Sequence, residues 1–389
     1  MPETVDVTII GAGVIGTAVA RALSRAGREV FVLEKNPGVT CGENQSSRNS
    51  GVIHAGLYYD RATRPLKARL CPRGNALLYE FCQRHQVPHL KCGKLIVAQR
   101  PDQLPALELY ATRASENGVP ASLISGGQAR EMEPQVRAEA ALFLPSSGVI
   151  EPTALVHRLY ALASASGAQF LTGTALRAAR STPEGVACAV TYRDGATDEF
   201  LSRRVVNCAG LYSDEAARLI DPASPWRIDP MRGEAACFQR HRRPELGLKS
   251  MNVYPTPHQV TLPGGTYWTV GVHLTPTLEP GPEGRAAIGP VVSVGPLNFA
   301  ARHKEDYGGD PRPASDFHAQ VVEFFPGLKV EDLGPYQVGI QARLAGRQDW
   351  VIAPSPACPA WIDLLGIDSP GLTSSLAIAE MVTGLLERA

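Results

Sequence analysis

An α/β fold with a largely parallel sheet follows from three stretches of this 389-residue sequence. Near the N-terminus, VDVTIIGAGVIGTAVARALSRAGREVFVLEK reads as a short buried strand, a glycine turn, a helix and a second strand. Far downstream, RRVVNCAGLYSDEAARL (203–219) repeats strand, small-residue turn and helix. At the C-terminus, LLGIDSPGLTSSLAIAEMVTGLL is a glycine turn leading into a helix whose apolar stripe is Leu372, Leu376, Ala379 and Val382. Three pieces spread along the chain that return to one sheet describe a Rossmann-like unit interrupted by excursions.

Each part of the first piece has a mechanical reason. Gly11, Gly13 and Gly16 form GxGxxG directly after the strand: the first permits a tight turn, the second lets a pyrophosphate approach the backbone, and the third lets helix and strand pack closely. Val14 and Ile15 open the helix, whose N-terminus offers free N–H groups and partial positive charge to phosphates. Glu34 ends the second strand, followed by Lys35; its carboxylate would accept hydrogen bonds from adenosine ribose hydroxyls and repel a 2′-phosphate. These residues together predict a dinucleotide site, against the alternative of a βαβ unit whose glycines serve packing alone. The motif does not choose between NAD and FAD. The return of two further pieces to the same sheet, with Ala209 and Gly210 in the turn of the middle one, suits the larger flavin.

Composition narrows the class. The 38 basic and 38 acidic residues cancel, so no electrostatic footprint for nucleic acid is present. The eight cysteines contain no CxxC pair and no Cys/His spacing for a metal. With no signal peptide legible, they are expected to be reduced thiols in a cytoplasmic protein. No apolar run approaches the length of a membrane span; peripheral attachment is left open.

The stretch SSRNSGVIHAGLYY (46–59) fits neither an amphipathic helix nor a surface turn. Hydroxyls, an amide and Arg48 are followed by Val52, Ile53 and His54 between Gly51 and Gly56, so backbone is expected to pass close to something rich in acceptors.

Here the sequence resembles a known family, the D-amino-acid-oxidase-type FAD-dependent oxidoreductases, and within it the L-2-hydroxyglutarate dehydrogenase/oxidase branch. NSGVIHAGLYY, CGKLIVA, NCAGLYSD, MRGE, NVYPTP, VGVHLTP and GIDSPGLTSSLAIA stand in that branch's order along nearly the whole chain. The resemblance implies bound FAD, α/β and α+β architecture, and oxidation of a carbon that bears a hydroxyl or amine beside a carboxylate. It implies a Rossmann-like FAD-binding domain of the D-amino-acid-oxidase type from about 1–90, 145–225 and 335–389, with an interleaved mixed-sheet substrate domain from 91–144 and 226–334. There are departures. VGIQARLAG puts Gln341 where the family usually carries an Arg, with Arg343 two residues on, on the same strand face. RGEAACF has alanines where aromatics are common, and the chain is shorter than the animal members between about 305 and 330.

With a flavin in view, Ser46, Ser47, Arg48, Asn49, Ser50 and Gly51 are expected to serve its pyrophosphate and ribityl oxygens. Gly51 and Gly56 would let backbone run flat along the ring system. Gly371, Leu372 and Thr373, at a helix start, would face the ring with backbone N–H groups, Ser374 and Ser375 capping the same turn. His54 is a candidate base, because a neutral imidazole can accept a hydroxyl proton near neutral pH. His273 is its rival, on a strand whose alternation puts Thr269, Gly271, His273 and Thr275 on one face. Tyr254 would lie beside it if the two strands pair, and Tyr58 is an active-site wall or core residue. Arg232 and Arg343 are the expected carboxylate anchors, with Gln341 in the same pocket. An amine substrate remains the alternative to a hydroxy acid, and a flavin without turnover the second. No motif selects an electron acceptor.

Overall fold

The computed structural model describes residues 4–41, 44–246, 248–249, 251–262, 265–282 and 285–388, with backbone alone over 259–262 and 265–268. Two large sheets organise the chain, each of eight strands among the described residues. The first strand, Thr4–Ile10, is central to sheet one, with Thr197–Asn207 on one side and Val30–Glu34 on the other, all parallel. Gln169–Thr172 extends the sheet beyond Val30–Glu34. Cys358–Leu365 joins in parallel beside the end of Thr197–Asn207, so residues far apart in sequence share one sheet as expected.

Helices α1 (Val14–Arg25) and α2 (Pro65–His85), with Pro152–Ala165 and Gly371–Arg388, cover one face of that sheet. Val7, Ile9, Leu23, Leu78, Leu159 and Val382 meet in the resulting core. The other face packs under the hairpin Ala175–Thr182/Gly185–Thr191 and the short helix Ser213–Ile220. Both sides of Val30–Glu34 are therefore buried, which explains its unbroken apolar run.

Sheet two runs in the order Gly334–Leu344, Ile228–Gln239, Ala286–Ala300, His273–Pro280, Asn252–Pro255, Lys94–Ala98, Ala140–Leu144, Ser122–Ser125. It is antiparallel except where Asn252–Pro255 and Lys94–Ala98 run together. Two sequence expectations change here. Residues 335–344, grouped with the nucleotide unit, form the edge of sheet two, paired with Ile228–Gln239; the chain re-enters sheet one at Val351. YWTVGVHLTP is two strands rather than one, because Gly271 turns at φ +68° between Gly265–Thr269 and His273–Pro280. The alternation across that turn is therefore broken, and His273 shares a strand face with Thr275 alone of the residues named. Ser122–Ser125 leads into a helix, Gly126–Met132, opened by a capping box of Ser125 and Gln128.

Candidate active site

The junction of the two sheets encloses a cavity of about 830 Å3. One end lies over the C-terminal edge of sheet one. Gly11 takes φ +96°, and a Cβ there would stand 2.7 Å from the Cys208 carbonyl oxygen. A Cβ on Gly16 would overlap the Gly11 carbonyl oxygen, so helix α1 can approach its strand only without one. Gly13, Val14, Ile15, Glu34 and Lys35 line this end with Ala209 and Gly210. The Glu34 carboxylate accepts from the backbone N–H groups of Ala12 and Asn36, both at 2.8 Å, which fixes it at the rim. Lys35 lies 3.6 Å above the Tyr212 ring.

The loop at 46–59 crosses from this end to the other. Ser46 accepts from the Val14 N–H at 2.8 Å, tying the loop to the helix start, and Asn49 closes it on Gln45, Ser46 and Gly51. Ser46, Arg48, Asn49 and Ser50 line the cavity. Ser47 does not: its N–H and hydroxyl turn back to Asn44. The Cβ positions of Gly51 and Gly56 are closed by the Ile150 carbonyl and by Pro72, so both glycines fit the loop to neighbouring chain rather than to a flat ring. Gly16, Ser47 and Gly51 thus stand behind the wall.

At the far end Thr373 accepts from the His54 N–H at 3.0 Å, and Asn75 donates to the His54 carbonyl at 2.9 Å. The C-terminal helix begins at Gly371, and Gly371, Leu372 and Thr373 line the cavity. Ser374 and Ser375 are fully buried and face the protein interior, where Ser374 meets Gly74 of α2; they do not cap the turn. The preceding turn is held by Asp368, which pairs with Lys67 at 2.7 Å and accepts from the Trp350 indole N–H at 3.0 Å.

His54 and His273 both face this end with Tyr58 and Tyr254. His273 stacks on Tyr254, centroids 3.8 Å apart and planes 16° apart, as the pairing of Val253 with Leu274 requires. His273 Nδ1 lies 3.1 Å from the Gly271 carbonyl, which can only accept, so this nitrogen carries the proton. Neutral His273 therefore presents a lone pair on Nε2, which is buried without a partner among the described residues. Burial pushes His273 down to about 3, with Lys94 opposing a second positive charge. His54 is likewise held well below the usual histidine range by burial, then by Lys94 and His273; its Nε2 is 3.3 Å from the Ser369 hydroxyl. Both imidazoles are proton acceptors across the neutral range. The Tyr58 hydroxyl is buried without a partner, and burial raises its pKa well above the ordinary phenol, so it stays a donor.

The two arginines part company. Arg343 and Gln341 line the cavity from alternate positions of Gly334–Leu344, with Gln337 on the same face. Gln341 donates to Asn298 at 3.4 Å, and Ala235, on the strand between theirs, lines the same wall. Arg232 is not an anchor. It is 4% exposed and its guanidinium pairs with Glu234 at 2.8 Å, donates to the carbonyls of Asp306 and Gly308, and faces the Asp306 carboxylate. A strand residue adjacent to the cavity wall points away from it, and sequence spacing could not reveal which side Glu234 would take.

Arg64, Lys67 and Asn298 also line the cavity and were not singled out from the sequence. Neither was Lys94, whose signal was a charged residue heading the otherwise apolar strand KLIVA.

The profile of the FAD dependent oxidoreductase family matches residues 6–385. The chain belongs to that family. It is 32% identical to the Arabidopsis thaliana mitochondrial L-2-hydroxyglutarate dehydrogenase, covering 98% of this chain and 83% of that protein. Against the human mitochondrial L-2-hydroxyglutarate dehydrogenase it is 29% identical, over 97% and 87% of the two chains. Among solved structures, FAD-bound L-α-glycerophosphate oxidase from Mycoplasma pneumoniae superposes at a TM-score of 0.82 with 25% identity, covering 99% and 95% of the chains. Glycine oxidase from Geobacillus kaustophilus superposes at 0.78 with 20% identity, covering 99% and 95%, and shows the shared fold. The residues present fit FAD: the glycine cradle admits a pyrophosphate, Glu34 stands where a ribose would lie, and the cavity has room for a large ligand. No helix among the described residues is long and apolar enough to cross a membrane, and no group of three or more His, Cys, Asp or Glu side chains there forms a metal site.

Proposed function

We propose that this oxidoreductase converts an L-2-hydroxy acid to the 2-oxo acid, with L-2-hydroxyglutarate as substrate and 2-oxoglutarate as product. The observation that carries the reading is the buried lone pair on His273 Nε2, with His54 beside it, at the end of the cavity away from the glycine cradle. Bound FAD supplies the two-electron acceptor. Gly11, Gly13, Val14, Ile15, Glu34, Lys35, Ser46, Arg48, Asn49, Ser50, Ala209 and Gly210 would hold its nucleotide portion. The helix start at Gly371–Thr373 would place backbone N–H groups and partial positive charge against its reacting end.

On the protein's side the chemistry is proton handling and orientation. Arg343, with Gln341 and Asn298, would take the substrate carboxylate, because a guanidinium matches a carboxylate bidentately. An imidazole takes the hydroxyl proton as the α-carbon gives up its hydride, and the C–O bond becomes C=O. His273 is the better-defined acceptor, since its tautomer is set by Gly271; His54 lies within the same end and is the second candidate. The resemblance to the L-2-hydroxyglutarate dehydrogenases over nearly the whole chain supports a dicarboxylate. The eight cysteines are free, which supports a cytoplasmic setting.

The test is anaerobic. Purified yellow protein is mixed with L-2-hydroxyglutarate, its D-enantiomer and a panel of 2-hydroxy and 2-amino acids while flavin absorbance is followed. Bleaching by the L-hydroxy acid is expected; bleaching by amino acids alone would replace this reading with amine oxidation. Readmitting air then shows whether dioxygen is the electron acceptor.

A further inference from the structure

Lys94 opens the strand Lys94–Ala98, every residue of which is buried, and is itself 0% exposed. Among the described residues its ammonium has no hydrogen-bond partner. It sits 3.7 Å from the Tyr254 ring centroid and 5.6 Å from that of Tyr58. The parallel pairing of Asn252 with Lys94 and of Tyr254 with Ile96 brings Tyr254 alongside it. His273 covers one face of Tyr254 in parallel stacking, which leaves the opposite face for the ammonium. Lys94, Tyr254 and His273 are thus a three-layer stack ending at the cavity, and Lys94 lies behind its wall.

A buried cation without an ion pair is costly, and methionine would fill the same strand position without that cost. The contact with Tyr254 offsets part of that cost, so the charge is placed for the site more than for the fold. The titratable groups facing it are His54 and Tyr58 from the loop, Cys71 from α2, Cys92 from the turn before its own strand, and Tyr254 and His273 from the neighbouring strands. No carboxylate is among them.

We propose that Lys94 is the positioning residue of this active site: its ammonium, held against Tyr254 by cation–π attraction, fixes the ring on which His273 stacks and so holds the His273 imidazole towards the cavity. The inference rests on the reading that an imidazole takes the substrate proton. Burial pushes the Lys94 amine down to about 7, so the working charge is present below that pH and is lost as pH rises through it.

The test compares wild type, Lys94→Met and Lys94→Arg by anaerobic flavin reduction from pH 6 to 9.5, using whichever donor bleaches wild type. The hydroxy-acid reading then fails in the wild-type panel, and the role of Lys94 fails only in the difference between proteins. Wild type is expected to slow as pH rises above about 7. Lys94→Met is expected to keep its FAD, gain thermal stability and lose tenfold or more in reduction rate at pH 7, with no alkaline decline. Lys94→Arg, charged throughout, is expected to lose the alkaline decline while keeping more of the rate. A purely structural lysine would instead lower stability and leave the profile's shape intact. FAD-loaded variants that keep the wild-type rate and alkaline limb overturn the proposal. Should neither variant hold FAD, wild type carrying ¹³Cε-labelled lysine decides: one resonance titrating near 7 supports the proposal, and all titrating near 10.5 overturn it.

Discussion

The two ends of the cavity are built on opposite principles. The nucleotide end is mostly backbone: glycines without side chains, a helix start, and one carboxylate fixed by two N–H groups from its own neighbourhood. The far end is side chains, delivered by a loop, two strands of sheet two and a helix start, and several of their polar atoms are buried without partners. A native protein leaves few buried polar groups unsatisfied, so such a concentration marks where a ligand completes the bonding. Order at one end is made locally, and readiness at the other is assembled from afar.

That contrast can be broken by substitution. Gly16→Ala carries the largest effect, since its Cβ would overlap the Gly11 carbonyl oxygen. It is expected to cost about 3 kcal/mol and to abolish flavin binding, read as lost absorbance and a lower Tm. If Gly16→Ala bound FAD normally, the close-packed cradle would be wrong. Arg232→Met is expected to destabilise by about 3–5 kcal/mol, because Glu234 is left buried without its cation, whereas Asp306 keeps its pairing with Arg302. Any folded fraction should keep its KM; a selective rise in KM would restore Arg232 as an anchor.

At the far end the expected losses are in rate. His273→Ala should retain FAD while flavin reduction falls by about 10²–10⁴-fold, and the same change at His54 ranks the two imidazoles. Equal, small losses would favour the amine alternative, where no enzyme base is required. Arg343→Met should raise KM by about tenfold to a hundredfold, the loss of a charge-assisted carboxylate contact.

The smallest effect is the pH dependence of stability. His273 moves from an ordinary 6.5 in the unfolded chain to about 3 when folded. Between these values the unfolded state binds the extra proton, so stability is fully present above pH 6.5 and is lost as pH falls towards 3. Urea titrations at pH 7.5 and 5 should differ in that direction, and His273→Ala should flatten the difference.

Much of the nucleotide end could be read in the sequence because its cause is local. The strand, glycines, helix, second strand and Glu34 lie in one continuous stretch, and the turn at Gly371–Thr373 is equally compact. The loop at 46–59 was legible as unusual, and His54, which lines the cavity, as its candidate base. The roles of Ser47 and Gly56 were not, because each is satisfied by a neighbour, Asn44 or Pro72, that composition does not single out. The strand carrying His273 was over-extended by alternation, since a glycine at positive φ interrupts it without changing the pattern of side chains.

Sequence by itself determined the family, the cradle and the two candidate imidazoles, because glycine spacing, helix starts and an acid after a strand act within a few residues. Tertiary structure alone decided which cations lie at the cavity. Arg232 and Arg343 look alike in sequence, yet Glu234 and the 306–308 turn enclose one while the other faces the cavity. Lys94 became visible only when Tyr254 and His273 closed over it from strands more than 150 residues away. Charge placement depends on what is buried beside it, and burial is a property of the assembled chain.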